Sequence, residues 1–520
     1  MHVQMRPLLP SAFWLAICLP ALAWLLTGCA GGGKAFNPQH KYSPAQLQQD
    51  FDVAWKTYQQ IHPSYDWFAP ADSVDAVFSR VRASLSDSLT EQEFRLRLSY
   101  AVAAIRCGHT SVSPGKAANK YYNRRADSAF PLQLRIWGDT AFVLRQLLPT
   151  SKNDSLPLGA RIVSINGVPV STLIRQMKTY ISADGFNDTF KDYVLTLAFG
   201  SRFRALYGLP AGYSFEYLDS TGTLRRTNLP NWRAPRPTVR RTDTARSPLP
   251  RRDSLEAMST KPAMPPKLKT FSPQPTIGSF KIDTAQNTGI LTLNTFSKGR
   301  QKKLFRITFK KMQQYQLANL VIDLRNNGGG KLRKYIWLTR HVATQPFKPA
   351  DTVAAKSLRF PYPAHVEASF SHRYLSRLLL RRGADGRLHM RFMERKTYQP
   401  YKRLHFGGPL YVITGGRTFS ASTMFINSLE GRPRLTLVGD ETGGGARGNS
   451  AIFSPTITLP NTRVKARLPL FRNVINARLP HTGRGIMPQV PAPQLPRHII
   501  TGTDPKMEAV QQLIKGSNPK

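Results

Sequence analysis

The chain has 520 residues, of which 41% are hydrophobic, so it is long enough for two or three domains and is too apolar to be disordered throughout. Its 74 Lys and Arg residues against 30 Asp and Glu residues give a formal net charge of +44, which favours an anionic glycan, lipid surface or nucleic acid as a neighbour. Zinc-finger spacings and aromatic RNA-recognition motifs are missing from the sequence, so we expect no specific nucleic-acid binding.

The first 28 residues have the features of a secretory signal. Arg6 precedes an apolar run from Leu8 to Leu26, and small residues follow before Cys29. The ending Leu-Thr-Gly-Cys resembles the bacterial lipobox, whose cysteine is lipidated and becomes the first residue of the mature chain. The run is also long enough for a transmembrane anchor, but the small residues and the Gly-rich stretch after Cys29 favour processing. We therefore expect a lipoprotein on the bacterial cell envelope, anchored through Cys29 at the periplasmic face of the outer membrane.

Residues 29–125 should form a Gly-rich tether followed by a helical region. Leu47, Phe51 and Trp55 recur at the spacing of one helix face. The helical pattern ends at the sequence Cys-Gly-His-Thr, where a histidine, His109, directly follows a glycine. Cys107 is the one cysteine left after signal removal and lipidation, so no intramolecular disulfide is expected.

Residues 126–232 have the alternating pattern of a β-rich domain. A predicted hairpin turns at Gly138-Asp139, and a second pair of strands flanks Asn166-Gly167. The second phrase, GARIVSINGVPV, resembles the strand–turn–strand passage of PDZ domains, which bind peptide ends by adding a strand to a sheet edge. An ordinary hairpin is the alternative interpretation.

Residues 233–270 are predicted to be a linker, and residues 271–515 an α/β core. Between 233 and 269 the sequence has ten Lys and Arg, three acids and seven prolines, a composition that keeps a chain extended. The core then alternates predicted strands and helices. Residues 345–405 are basic and aromatic without a clear period, so we interpret them as an insertion.

Ser420 lies where a predicted strand turns into a predicted helix. The strand ends near Thr414, and the helix should run from about Ser420 to Leu429. A helix N-terminus favours the negative charge of an alkoxide or of a tetrahedral intermediate. The same position also suits a plain N-cap serine, so this stretch leaves both roles open.

Four motifs in a fixed order resemble serine peptidases of family S41, which includes the C-terminal processing or tail-specific proteases and the tricorn proteases. They are VIDLRNNGGG, TGGRTFSAS, VGDETGGG and GRGIMP, and the first supplies a Gly-rich turn after a buried strand. The resemblance spans about residues 41–515, apart from the linker and the insertion. It implies a ClpP/crotonase-like S41 core behind an N-terminal helical region and a PDZ-like domain.

The resemblance also implies catalytic roles. It makes Ser420 the nucleophile and places the oxyanion hole at the amides of Ala421 and of the Gly328-Gly329 turn. In the processing-protease branch a lysine some 25 residues after the serine is the general base, but Gly445 stands at that place here.

A serine hydroxyl needs a base before it can attack an amide. His109 matches the histidine that serves in the tricorn-like branch, and an imidazole titrates near neutral pH. An ordinary surface-loop histidine is the alternative. The branch's serine before this histidine and its glutamate before the Gly-x-x-Pro phrase are both missing, because Gly108 and Arg484 stand near those places.

The sequence thus predicts a serine-type hydrolase acting on envelope polypeptides through an acyl-enzyme on Ser420. The resemblance implies no metal and no nucleotide cofactor. One alternative is a catalytically weak or inactive S41 fold that binds peptides or apolar ligands. Another is a surface scaffold whose basic linker docks on an anionic glycan or lipid.

The lipid anchor is directly testable. Cys29→Ser should abolish lipidation and release the protein from membranes, because several acyl chains are needed for stable anchoring. Metabolic labelling with a fatty acid and membrane fractionation measure both effects. A variant that matures and fractionates as the wild type does would refute the lipobox interpretation.

Overall fold

The computed structural model describes residues 36–124, 130–148, 156–232, 268–274, 276–367, 379–477 and 480–516. The predicted signal peptide, the lipidation site Cys29 and nearly all of the predicted linker lie outside these ranges. Within them the chain is a mixed α/β protein with several sheets, which confirms the predicted fold class. No helix in these ranges is both long enough and apolar enough to cross a membrane.

The N-terminal region consists of helices joined by short strands. A capping box of Ser43 and Gln46 begins the first long helix, in which Leu47 and Phe51 are fully buried as the spacing predicts. The elements are β1 Lys41–Tyr42, α1 Pro44–Ile61, α2 Ala71–Ala83, β2 Leu89–Thr90, α3 Glu91–Ala103, β3 Ser111–Ser113 and α4 Lys116–Arg124.

The middle region is an antiparallel sheet with two helices packed on it. Its elements are β4 Leu132–Trp137, β5 Thr140–Gln146, β6 Arg161–Ile165, β7 Val168–Pro169, α5 Val170–Lys178, α6 Thr189–Tyr207, β8 Gly212–Leu218 and β9 Leu224–Pro230. The strand order is β4-β5-β6-β8-β9, with β7 paired to β6. Asn166 and Gly167 have positive φ angles and form the predicted turn between β6 and β7. The relation of this region to PDZ domains stays a prediction.

The C-terminal region contributes the remaining elements. The first group is β10 Leu268–Gln274, β11 Gly278–Asp283, β12 Thr288–Leu293, α7 Gln301–Gln314, β13 Asn319–Asp323, α8 Leu332–Val342, β14 Thr352–Ala355, a 3-10 turn Pro363–His365, β15 Val366–Glu367, β16 Arg381–Arg382, β17 Leu388–His389 and α9 Arg391–Arg395. The second group is β18 Leu410–Thr414, α10 Ala421–Asn427, β19 Leu435–Gly439, β20 Gly448–Ile452, β21 Thr456–Thr458, β22 Lys465–Arg467, β23 Phe471–Val474, β24 Val490–Pro491, α11 Pro496–Thr501 and α12 Pro505–Gly516.

A seven-stranded sheet organises this region in the order β10-β11-β12-β13-β18-β19-β24. The pairs from β12 to β24 are parallel, whereas β10, β11 and β12 pair antiparallel. Every residue of β18 is buried, as a central parallel strand requires. The carboxyl ends of β13 and β18 lie side by side, and in open α/β sheets this edge forms the ligand site.

Two smaller sheets connect the regions. One has the order β16-β17-β14-β23-β20, and the other has the order β15-β21-β22-β3. The predicted insertion 345–405 supplies β14 to β17 and α9, and the two-residue length of most of these strands explains why the sequence shows no period there. Strand β3 belongs to the N-terminal region but pairs with β22 of the C-terminal region.

The N-terminal helices and the C-terminal region share one hydrophobic core. Buried side chains from residues 47–107 form a single cluster with buried side chains from residues 350–390 and 457–471. The hydroxyl of Tyr58 also donates a 3.1 Å hydrogen bond to the carbonyl of Arg467. The helical region therefore packs against the C-terminal region as part of one core, and the burial of shared apolar side chains fixes its position.

A buried carboxylate also joins the N-terminal helices to the C-terminal region. Asp50 of α1 accepts hydrogen bonds from the backbone N–H groups of Asn461 and Thr462, each 2.8 Å long, and from both of their side chains. The residue is fully buried. Removing it leaves buried donors without an acceptor, which is costly.

Asp50→Ala should therefore lower the free energy of unfolding by about 3 kcal/mol. Thermal denaturation followed by circular dichroism measures the change. Asp87→Ala is the matched control, because Asp87 is exposed and should change stability by less than about 0.5 kcal/mol. Equal melting temperatures for the two variants would show that the Asp50 contacts do not hold α1 in place.

Candidate active site

Ser420 stands between β18 and α10 in a backbone conformation that L-residues rarely adopt. Its φ is 56° and its ψ is −121°. A non-glycine residue held there costs about 1–3 kcal/mol, and such strain is found at functional sites. Its carbonyl accepts the first helical bond from the N–H of Met424, at 3.0 Å. The strain therefore turns the chain sharply where the strand becomes the helix.

The Ser420 side chain does not cap the helix. No hydrogen bond runs from its hydroxyl to the first turn of α10, although the residue occupies the N-cap position. The N-cap role that the sequence left open is therefore not realised. The serine is partly exposed, whereas α10 is buried along its whole length.

The Gly-rich turn after β13 lies directly against Ser420. A Cβ atom on Gly329 would come within 2.8 Å of both the Ala421 nitrogen and the Ser420 Cβ, and the residue has a φ of +90°. Only glycine fits this close approach. The turn is fixed by its own asparagine, because Asn327 Oδ1 accepts the N–H of Gly329 at 3.0 Å.

The hydrogen bond between Asn327 and Gly329 affects which glycine amide is available for the predicted oxyanion hole. The Gly329 amide is engaged with Asn327, so the Gly328 amide is the freer donor of the two glycines. Among the described residues neither the Gly328 N–H nor the Ala421 N–H has a hydrogen-bond partner. These two amides, one in the Gly-rich turn and one directly after Ser420, are therefore the candidate donors for the predicted oxyanion hole.

The serine loop is held on both sides by backbone bonds. The Phe419 N–H donates to the Asn327 carbonyl at 3.2 Å, and the Gly444 N–H donates to the Thr418 carbonyl at 3.1 Å. The Thr418 hydroxyl donates to the carbonyl of Leu324 at 2.9 Å. The first three of the four sequence motifs thus meet at one place in the structure.

His109 reaches the same place through strand pairing. It precedes β3, whose Ser111 is in register with Arg467 of β22. Its ring packs against the ring of Phe419 with the centroids 4.6 Å apart. A side chain on Gly108 would press into that phenyl ring, since a Cβ there would lie 2.7 Å from Cζ. The structure therefore brings His109 to the residue next to Ser420.

Asp184, in the loop between α5 and α6, joins this arrangement and is not foreseen from the sequence. One carboxylate oxygen accepts the N–H of Gly108 at 2.8 Å, and the other accepts the N–H of Gly445 at 3.3 Å. The residue is buried, and burial raises its pKa to about 6. Only an Asp-Gly pair marks it in the sequence, and such pairs usually indicate solvated turns.

Residues 287–468 match the family model named Peptidase family S41. This stretch of the chain is similar to the peptidases of family S41. Two crystal structures, described as mature CPAF and as mature CPAF complexed with lactacystin, are similar in fold, with TM-scores of 0.61 and 0.60. Both are 15% identical to this chain; the first covers 92% of it and 99% of the CPAF chain, and the second 91% and 98%. No curated protein is significantly similar in sequence.

The matched stretch begins just before β12 and ends just after β22, so it includes Ser420 and the Gly-rich turn but not His109 or Asp184. The match to a peptidase family model supports a peptidase function. Similarity of fold across nine-tenths of the chain extends the likeness to the N-terminal and middle regions. The roles of the individual site residues stay predictions.

The two acids within the motif VGDETGGG are both paired with basic side chains. Glu441 is buried and binds the guanidinium of Arg484 and the N–H of Gly485, the latter at 2.7 Å. Asp440 forms an ion pair with Lys506 of α12. These pairings fix the loop around the fourth motif, and they leave neither acid free to orient His109.

Burial determines the pKa of His109. Burial lowers its pKa to about 3, and the nearby charge of Arg467 adds to the effect. Its Nδ1 is buried and has no hydrogen-bond partner in the described part of the chain, although one edge of the residue is partly exposed. The ring is therefore neutral at neutral pH, the state in which an imidazole can accept a proton.

This depressed pKa has a measurable consequence. The ring resonances of His109, assigned by their loss in His109→Gln, should not titrate between about pH 8 and about pH 5 in an NMR experiment on histidine-labelled protein. Since the folded-state pKa lies below the ordinary value of 6.5, the stabilising contribution is present above that pH and is lost as the pH falls towards 3. A titration midpoint near the ordinary value would contradict the described burial.

Proposed function

We propose that this protein is a serine-type peptidase that cleaves polypeptides of the bacterial cell envelope through an acyl-enzyme on Ser420. One observation carries the proposal: the strained, uncapped Ser420 lies against the Gly-rich turn, directly before the unpaired amide of Ala421 and directly after Phe419, whose ring packs on His109. The arrangement supplies a nucleophile, an oxyanion site and a base, which amide hydrolysis requires.

The reaction proceeds in two halves. Ser420 Oγ attacks the scissile carbonyl carbon while His109 accepts the hydroxyl proton, and the amides of Gly328 and Ala421 stabilise the oxyanion. The C–N bond then breaks, and His109 returns the proton to the leaving amine. A water molecule, deprotonated by His109, attacks the ester and regenerates Ser420 with release of the new carboxyl end.

A cleft of about 670 Å³ supports access by a peptide. It runs between the N-terminal helices and the middle region, and Gly108 and Thr110, the neighbours of His109, line it together with Phe190 of α6. Phe190 stacks on Phe419 at a centroid distance of 4.8 Å. A peptide in this cleft would reach the site from the side of the PDZ-like region, which would bind its end by strand addition.

The location belongs to the same proposal. The lipobox-like ending at Cys29 supports an anchor at the periplasmic face of the outer membrane, with the S41 domain facing envelope polypeptides. The excess of Lys and Arg supports contact with an anionic glycan or lipid surface.

One observation favours the alternative of a weak or inactive S41 fold that binds peptides or apolar ligands. The buried Nδ1 of His109 has no acceptor among the described residues, whereas an efficient triad orients its histidine through that kind of bond. A His109 pKa of about 3 also makes the imidazole a weaker base than one that titrates near neutral pH.

Mutagenesis of the pair decides between the two functions. Ser420→Ala and His109→Ala should each lower turnover of an unstructured peptide library by roughly a thousandfold or more. The double variant should be little worse than either single variant, because the two residues act as one unit. Turnover is measured by mass spectrometry of the cleaved peptides.

A fluorophosphonate probe provides the complementary measurement. It should label Ser420 in the wild type and leave Ser420→Ala unlabelled. The matched control is Ser422→Ala, which removes a buried hydroxyl two residues away. Near-wild-type turnover by His109→Ala would remove His109 from the mechanism, and a wild type that neither turns over peptides nor reacts with the probe would favour the binding protein.

A further inference from the structure

Three potential metal ligands converge beside the serine loop. The sulfur of Cys107, a ring nitrogen of His109 and a carboxylate oxygen of Asp184 all lie within 4.8 Å of one another. Cys107 and Asp184 are almost completely buried, at 1% and 2% exposure. Among the described residues this is the one cluster of three such groups that could hold a metal ion.

The cluster leaves one donor atom unsatisfied. Nδ1 of His109 is buried without a hydrogen-bond partner, which is an unfavourable state for a polar atom. The carboxylate of Asp184 accepts one N–H on each oxygen and so keeps lone pairs for a further ligand. A cation between the three groups would satisfy the orphaned nitrogen and neutralise the buried carboxylate.

We propose that Cys107, His109 and Asp184 form a site for Zn²⁺ that inhibits the peptidase. In tetrahedral zinc sites with one sulfur ligand and two nitrogen or oxygen ligands, the donor atoms are about 3.3–3.6 Å apart. The donor atoms, which are at most 4.8 Å apart, therefore need to approach one another by up to about 1.5 Å. A thiolate, an imidazole and a carboxylate together suit zinc better than Ca²⁺ or Mg²⁺, which prefer oxygen ligands alone.

Zinc binding at this site displaces one proton. Binding releases the thiol proton of Cys107 to solvent, because the thiolate is the ligand form, and it uses a neutral imidazole and an ionised carboxylate as they stand. Burial raises the pKa of the Cys107 thiol to about 12, and the nearby backbone N–H groups of His109 and Thr110 offset only part of that shift, so the metal itself must displace the thiol proton. The fourth position of the metal would hold water, as in open zinc sites.

Inhibition rests on the proposed function, since it acts through His109. When a metal binds one nitrogen of a neutral imidazole, the proton resides on the other nitrogen. Neither nitrogen is then available to accept the hydroxyl proton of Ser420, and attack on the carbonyl stops. Removal of the metal by a chelator restores the free base, so the inhibition is reversible.

The metal has a route to the site. Gly108 and Thr110, on either side of His109, line the solvent-connected cleft described above. An ion in the cleft therefore meets the backbone that carries the ligands without unfolding the hydrophobic core. A peptide in the cleft and a metal at the site would block one another.

Binding is tested first, independently of catalysis. Co²⁺ is titrated into the purified, lipidated full chain, in which Cys107 is the one predicted free thiol, and Zn²⁺ is used to displace it. The wild type should bind one Co²⁺ with a thiolate-to-cobalt charge-transfer band that Zn²⁺ removes. Cys107→Ser should lack the band and bind Zn²⁺ at least about tenfold more weakly, as should Asp184→Asn.

His389→Gln is the matched control for metal binding. His389 is bonded to Asp385 and Glu394 on its two ring nitrogens, so it is the other histidine that carboxylates surround. This variant should bind Co²⁺ as the wild type does. The proposal is overturned if Cys107→Ser keeps the wild-type band and affinity, if His389→Gln loses them, or if the wild type binds no Co²⁺ at micromolar concentrations.

Inhibition is tested second, on peptide turnover. Micromolar Zn²⁺ should stop the wild type, a chelator should restore it, and Cys107→Ser should remain active in the same Zn²⁺ concentration. Equal inhibition of both proteins would overturn the inhibitory role. A wild type that binds Co²⁺ but never turns over peptide would refute the proposed peptidase function and leave the metal site standing, so the two failures are distinguishable.

Discussion

The buried carboxylate of Asp184 joins three segments that are far apart in the chain. Its oxygens accept the N–H groups of Gly108, in the loop that carries His109, and of Gly445, in the turn beside the serine loop. Removing a carboxylate from water is unfavourable, and its raised pKa reports that cost. The two backbone bonds offset part of the cost, and in return they fix the distance between the histidine loop and the serine loop.

Aromatic packing also joins the histidine loop to the serine loop. The ring of Phe419 lies between His109 of the N-terminal region and Phe190 of the middle region. Because each ring comes from a different region, the site exists only when all three regions are assembled. The strained backbone of Ser420, directly after Phe419, is held by the same contacts and by the hydrogen bond that the Phe419 N–H donates to the Asn327 carbonyl.

Gly445, which replaces the lysine of the processing-protease branch, has a contact of its own in the structure. Gly445 stands where that branch has its lysine, and its backbone N–H instead binds Asp184. The acidic group near the base is therefore supplied by the loop between two helices of the middle region. Glu441, a more conspicuous acid in the motif, is committed to Arg484 and Gly485. The proposed base, His109, thus lies beside a buried acid and a buried thiol, which is the set of groups on which the proposed zinc site depends.

The sequence by itself determined the elements and the motif order. Local properties include the hydrophobic pattern of α1 and β18, the turn at Asn166 and the start of α10 beside Ser420. Each of them depends on neighbouring residues in the chain and on which side chains are buried. The convergence of Cys107, His109 and Asp184 was decided only by the tertiary structure. It depends on the pairing of β3 with β22 and on the loop after α5, and such long-range contacts leave no periodic signal in the chain. The burial that removes the positive charge from His109 likewise comes from the assembled regions, because desolvation depends on what surrounds a group in space.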